Sequence, residues 1–149
     1  MTATTSDATS TRRTAVQYGA LLVGIVFILV GIAGFIPGIT SGVGTMTFAT
    51  SASGAHLLHL FQVSVLHNAV HLLFGVAGVL LSRKVYSAQR YLRFGGLAYG
   101  ALFLYGIVVP KLSAGNFVPL NDADDFLHAV LAGGMIALSF VLGRGPGRP

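Results

Sequence analysis

The chain has 149 residues, of which 54% are apolar and only 9% charged. A soluble domain carries about 25% charged residues, so this composition excludes an ordinary water-soluble fold and points to one membrane domain. With no Cys there is no disulfide or thiolate site, and the net charge of +5 lies in short segments beside apolar runs, a topology signal and not a nucleic-acid surface.

Residues 1–13 are rich in Thr, Ser and Ala, lack apolar periodicity and read as a disordered tail ending in Arg12 and Arg13. Residues 14–36 form an uncharged run. An Arg pair before such a run also fits a secretory signal, but the run is too long for a typical signal core and no small-residue cleavage site follows it. An uncleaved first span is expected. Pro37 and Gly38 close it, and residues 38–54, polar, uncharged and rich in Gly, Ser and Thr, read as a loop that could dip back into the membrane surface.

Residues 55–81, AHLLHLFQVSVLHNAVHLLFGVAGVLL, hold four of the five histidines and no Asp, Glu, Lys or Arg. At about 1.5 Å per residue this run can reach roughly 40 Å as a helix, against a hydrocarbon core of about 30 Å. It is the predicted second span, with Ser53 as its cap. At about 100° per residue, His56, His59, His67 and His71 fall within a sector of roughly 120°, with Asn68 widening it. Unpaired polar groups are expensive in lipid, so this stripe should face other helices. His71, the deepest, is expected to bridge two helices with Asn68 beside it.

Residues 82–93 carry Arg83, Lys84, Arg90 and Arg93 without an acid, and Arg90 and Arg93 read as an anchor to anionic lipid. The third span is placed at 91–109, stopped by Pro110. Residues 111–125 form a loop, and Asn121 can cap the next helix with Asp122, Asp124 and Asp125 in its first turn, where the helix dipole favours them. The fourth span is placed at 126–142, followed by a basic tail at 143–149. Glycines at 31 and 34, 75 and 78, 95 and 96, and 133 and 134 read as positions of close helix packing.

The basic segments precede the first span, join the second to the third and follow the fourth. In a four-span chain these lie on one side, and the positive-inside rule makes that side, with both termini, cytoplasmic. The predicted fold is all-α: a roughly antiparallel bundle of four transmembrane helices over 14–142, multi-pass in the cytoplasmic (inner) membrane.

Two constellations carry possible chemistry. His67 and His71 stand i, i+4 and can share a ligand, as in zinc helices, although the Glu of an HExxH protease motif is absent. Asp124 and Asp125 stand i, i+4 and i, i+3 from His128, so either can orient or join that imidazole. His67, His71, Asp124 and His128 are thus the metal candidates within a polar cluster of His56, His59, His67, Asn68, His71, Asp124, Asp125 and His128, which converges in the outer half of the bundle. The competing view makes His56 and His59 interfacial, bonds the other imidazoles and Asn68 to neighbouring helices, and uses the aspartates as caps. This bland view leads. It implies a structural or accessory membrane component with no catalytic residue, no enzymatic activity and no resident cofactor. A His-ligated metal or haem protein is the alternative. A small-solute or proton path comes third, weakened by the lack of charge deep inside the spans. The expected partners are the lipid bilayer and a second copy or another membrane protein, and no nucleic acid.

Three blocks, GFIPGIT at 34–40, FQVSVLHNAVHLLFGVAG at 61–78 and NFVPLNDADDFLHAVLAGGMIAL at 116–138, resemble in order the bacterial membrane family labelled domain of unknown function four-three-eight-three. The resemblance implies a small integral membrane protein of several spans. It transfers no catalytic residue.

The topology is checked with reporter fusions. Fusions after Arg83 and at the C-terminus are expected to report cytoplasm, and one near Gly115 the outside. A cytoplasmic signal at Gly115 would end the four-span arrangement.

Overall fold

The computed structural model describes residues 12–143. Residues 1–11 of the predicted tail and 144–149 of the basic tail lie outside the described residues. Four helices dominate: α1 Ala15–Ala33, α2 Val65–Leu81, α3 Val85–Val108 and α4 Asp122–Val141. Between α1 and α2, three two-residue strands, β1 Thr40–Ser41, β2 His56–Leu57 and β3 Phe61–Gln62, pair antiparallel in the order β1-β2-β3. The fold is the expected all-α bundle with a small sheet as a cap over one end.

By length and composition α1, α3 and α4 are able to cross a membrane, and α2 is a shorter apolar helix of 17 residues. Leu22, Leu29, Leu73, Leu97 and Leu104 are all more than half exposed. Contiguous exposed apolar surface of this kind marks contact with lipid. The protein is a membrane protein.

The predicted second span needs correction. Residues 55–64 are not helical, and α2 starts at Val65. Ser64 is its N-cap, in extended conformation, and the hydroxyl oxygen accepts from the His67 N–H at 3.1 Å. Ser53, the expected cap, instead donates to the Val63 carbonyl at 2.6 Å. The physical reason is visible in Phe61-Gln62-Val63-Ser64-Val65, where apolar and polar residues alternate with the period of a strand. Ala55, Leu57 and Val63 bury one face of this hairpin against Val30, Ala33, Met46 and Phe61. Leu58 and His59 turn the chain at φ of 52° and 59°. Two successive positive φ values are what the tight primed hairpin turns require, and side chains other than Gly, Asn or Asp adopt them at a cost. His56 and His59 therefore sit on a surface hairpin and not on a transmembrane stripe.

The other boundaries shift less. α3 starts at Val85 and takes Arg90 and Arg93 into its first turns, where the Arg93 guanidinium lies 4.5 Å over the Phe140 ring. α4 starts at Asp122, directly after its Asn121 cap. Thr14 begins α1, and its N–H donates to Gln17 Oε1 at 2.9 Å. Gln17 Nε2 in turn donates to the Arg83 carbonyl at 2.8 Å, so the start of α1 is tied to the turn between α2 and α3.

Packing is closest within two pairs, α1 on α2 and α3 on α4, with α1 against α3 joining them. Gly24 makes the first pair possible. A Cβ there would meet the Val79 nitrogen at 2.7 Å and the Gly75 carbonyl oxygen at 2.8 Å, both backbone atoms that cannot yield. Gly31, Gly75, Gly78, Gly95 and Gly96 are equally tight, as expected, but Gly133 and Gly134 face open space and do not pack closely. The main core, Val16, Ala20, Phe27, Ala88, Tyr91, Leu92, Tyr99 and Met135, fills the seam between α1, α3 and α4.

Three variants test this packing and the hairpin turn, read by melting or denaturant titration in detergent. Gly24→Val should destabilise by about 1–3 kcal/mol through overpacking, while Gly133→Ala should be neutral or stabilise by up to about 1 kcal/mol through helix propensity. His59→Gly should stabilise by roughly 0.5–1 kcal/mol by relieving the left-handed turn. An unchanged stability in Gly24→Val would show that α1 and α2 do not depend on backbone contact.

Candidate functional site

The polar residues gather at the capped end of the bundle. With α2 starting at Val65, His67 lies in its first turn and His71 in its second. Their rings stack in parallel, centroids 4.5 Å apart and planes 7° from parallel. The His71 Nδ1 pairs with the His67 carbonyl oxygen at 3.0 Å. This bond stays within α2; it does not bridge to another helix as expected. Asn68 is buried and makes only a long contact with the Met46 sulfur, 3.8 Å from Nδ2.

From α4, His128 meets Tyr99 of α3 with ring centroids 5.3 Å apart. Tyr99 stacks on Phe27 of α1, and Phe27 touches His71, each at 5.3 Å. Rings from all four helices therefore meet in one cluster. Beside it runs a cleft of about 290 Å³ that His67 and His71 line from α2, Tyr99 from α3 and His128 from α4. Three of the five histidines thus converge on one space. The Nδ1 atoms of His67 and His128 are buried and have no hydrogen-bond partner among the described residues.

The aspartates do something else. Asp124 Oδ2 accepts from the Asn121 N–H at 2.9 Å and from the Gln62 N–H of β3 at 3.1 Å. The Asn121 side chain completes a reciprocal capping box, accepting from the Asp124 N–H at 3.0 Å, and its Nδ2 donates to the Leu60 carbonyl at 2.7 Å. Asp124 therefore fastens the cap to α4 and does not reach His128 as a ligand partner. Asp125 forms an ion pair with Lys111, whose ammonium also donates to the Gly106 carbonyl at 2.8 Å. Asp122 is exposed. His56 keeps only a loop contact, Nδ1 to the Gly54 carbonyl at 3.2 Å, and His59 is exposed at the turn. Among the described residues, no three His, Cys, Asp or Glu side chains gather closely enough to hold a metal ion.

Sequence reasoning missed several contributors. Asn116 organises the loop before α4, donating from Nδ2 to the Lys111 and Leu120 carbonyls at 2.9 and 3.2 Å and accepting from the Leu120 N–H at 3.1 Å. Gln62 donates from its amide to the Ser53 carbonyl at 2.8 Å. The Lys111–Asp125 pair has a faint sequence signal, the single Lys of an otherwise acidic loop. Phe27 has none, being one apolar residue among many in α1.

The family model described as Domain of unknown function (DUF4383) matches residues 17–141. The chain belongs to this family. The match begins in the first turn of α1 and ends at the last residue of α4, so it spans all four helices and the hairpin cap of this chain. No curated protein and no solved structure matches the chain.

The cap contact gives a direct test. Asp124→Ala strands two backbone N–H groups and should cost about 2–4 kcal/mol, whereas Asp124→Asn keeps an acceptor and should cost less than half of that. Thermal melting in detergent, with protease accessibility of the hairpin, reads both effects. Equal stability of Asp124→Ala and the parent protein would show that the hairpin is held by packing alone.

Proposed function

We propose that the protein is a structural or accessory component of the cytoplasmic membrane, without enzymatic activity, whose polar groups hold the bundle and its cap together. In this reading both termini are cytoplasmic, the hairpin cap faces outward, and the partner is a second copy or another membrane protein. One observation carries it: the polar side chains of the capped end are mostly consumed by the chain itself. Asp124, Asn121, Gln62 and Ser53 bond to backbone groups of other segments, and Ser64 and Asn116 to backbone groups a few residues on. His67 and His128, which line the cleft, are the exceptions. The distribution of charge supports the orientation, since Arg12, Arg13, Arg83 and Lys84 share the end opposite the cap.

The metal or haem alternative draws on His67 and His71. Their parallel stack and the engagement of the His71 Nδ1 with backbone favour a packing role for that residue. His67→Ala and His71→Ala are compared with the parent protein by elemental analysis, absorption spectrum and melting in mild detergent. The expected result is no stoichiometric metal or haem in any sample, with His71→Ala losing about 1–3 kcal/mol. Stoichiometric metal or haem in the parent protein, lost in both variants, would overturn the reading.

A further inference from the structure

The turn at residues 82–84 joins α2 to α3, yet these two helices do not pack closely. What holds them together is a floor of two rings: the Tyr91 hydroxyl donates to the Phe74 carbonyl at 3.3 Å, and the ring centroids lie 4.8 Å apart. Over this floor lies a groove of about 470 Å³, with Ala77 and Leu81 of α2 on one wall and Arg90 and Phe94 of α3 on the other. Leu81, Arg90 and Phe94 are exposed, so the groove is open at the surface that meets lipid. From Tyr86 to Gly95, which both line it, α3 rises about 14 Å. Phe74, Ala77 and Gly95 make its deeper part apolar, a match for a hydrocarbon chain. The end toward the 82–84 turn is different. There the Arg90 guanidinium lies 5.3 Å from the centre of the Tyr86 ring and 5.5 Å from that of Phe94. Ring contacts of this kind hold an arginine in place without neutralising it. Among the described residues the one ion pair is Lys111 with Asp125, and the described acids, Asp122, Asp124 and Asp125, all sit in the first turn of α4 at the capped end. Arg90 therefore has no carboxylate partner among the described residues. Arg83, Lys84 and Arg93 add like charge, and the α3 dipole has its positive end here.

We propose that this groove is the seat of one phospholipid of net negative charge, its phosphate on the Arg90 guanidinium and one acyl chain laid between α2 and α3 over Tyr91 and Phe74. A guanidinium meets a phosphate through paired N–H donors, and such charge-assisted bonds are stronger than neutral ones. No described acid at this end can take the ammonium of a zwitterionic headgroup, which would meet basic side chains instead, so the site selects an anionic lipid. The chain covers apolar wall that the two helices leave open between them. General attraction of basic residues to a membrane surface has no fixed stoichiometry, whereas this seat holds one lipid per chain. It is a binding site beyond the structural role proposed above, and no reaction is part of it.

The test titrates the full-length protein, delipidated in mild detergent, with phosphatidylglycerol, with phosphatidylcholine of the same acyl chains, and with chain-free glycerophosphate, counting bound molecules by native mass spectrometry. Saturable binding of one phosphatidylglycerol per chain is expected, at least about tenfold tighter than phosphatidylcholine, with glycerophosphate weaker than either. Arg90→Gln should weaken phosphatidylglycerol about tenfold and bring it level with phosphatidylcholine, matching one lost charge-assisted contact. Lys84→Gln, which removes a charge outside the groove, should weaken it about threefold at most. Ala77→Phe places a ring in the groove and should weaken both lipids at least about tenfold by displacing the chain. Equal losses in Arg90→Gln and Lys84→Gln would reduce the binding to diffuse attraction and overturn the proposal. Non-saturable uptake, equal affinity for the two lipids, or lipid binding indifferent to Ala77→Phe would each overturn it too. So would a lipid-free dimer that Ala77→Phe breaks into monomers, since a second copy would then fill the groove. If Ala77→Phe fails to fold, the comparison of Arg90→Gln with Lys84→Gln still decides. Failure here leaves the bundle role intact, since that role is read from metal, haem and melting of the histidine variants and not from lipid counts.

Discussion

The cluster of rings contributed by all four helices is the interaction on which the rest of the bundle depends. His71, Phe27, Tyr99 and His128 come one from each helix, and in that order each touches the next at a centroid distance of 5.3 Å. The closest backbone contacts at glycine join helices in pairs, α1 with α2 at Gly24 and Gly75 and α3 with α4 at Gly96, while across α2 and α3 Gly78 and Gly95 meet only side chains, Tyr91 and Phe74. In lipid there is no hydrophobic drive to bring two such pairs together, because acyl chains are as apolar as the side chains. What remains is shape and van der Waals contact, to which an aromatic pair adds about 0.5–1.5 kcal/mol. Phe27 and Tyr99 sit at the centre of that contact, inside the main core.

The cap answers a different constraint. Every helix leaves its first backbone N–H groups without partners, and α2 and α4 both begin at the same end. Ser64 and Asn121 satisfy part of that need, and Asp124 extends the solution by also accepting from β3. The hairpin is therefore not an ornament on the bundle. It shares hydrogen bonds with the first turn of α4, and the start of one depends on the other.

Most of the architecture was legible in the sequence because lipid imposes simple rules. Long uncharged runs gave α1 and the greater part of α3 and α4, Asn121 followed by aspartates gave the start of α4, and the quoted blocks gave the family. The second span was misread because composition outweighed period. Residues 55–64 carry no charge, so hydropathy alone runs them into α2, while the alternation from Phe61 to Val65 and the cap at Ser64 are local signals of a strand and a helix start. The left-handed turn at Leu58 and His59 has no Gly or Asn to announce it. The convergence of the polar residues near one end was readable, since His67, His71 and His128 do line one cleft. The role of Asp124 was only half readable: a capping box is a local pattern, but acceptance from Gln62 N–H spans 62 positions of sequence and leaves no trace in it.

The shortness of α2 has a consequence for the surrounding bilayer. At about 1.5 Å per residue its 17 residues cover roughly 25 Å, while the 24 residues of α3 cover roughly 36 Å. One flank of the bundle is thus matched to a thin hydrocarbon layer and another to a thick one. Lipid beside α2 must thin, or the whole bundle must tilt toward that side, at a cost of a fraction of a kcal/mol per Å of mismatch. The apolar side chains of Leu58 and Leu60 stand exposed at the hairpin turn, and Phe48 on the loop that precedes the hairpin. Apolar side chains beyond the start of a short helix extend the surface that can meet lipid, so the hairpin offsets part of that mismatch.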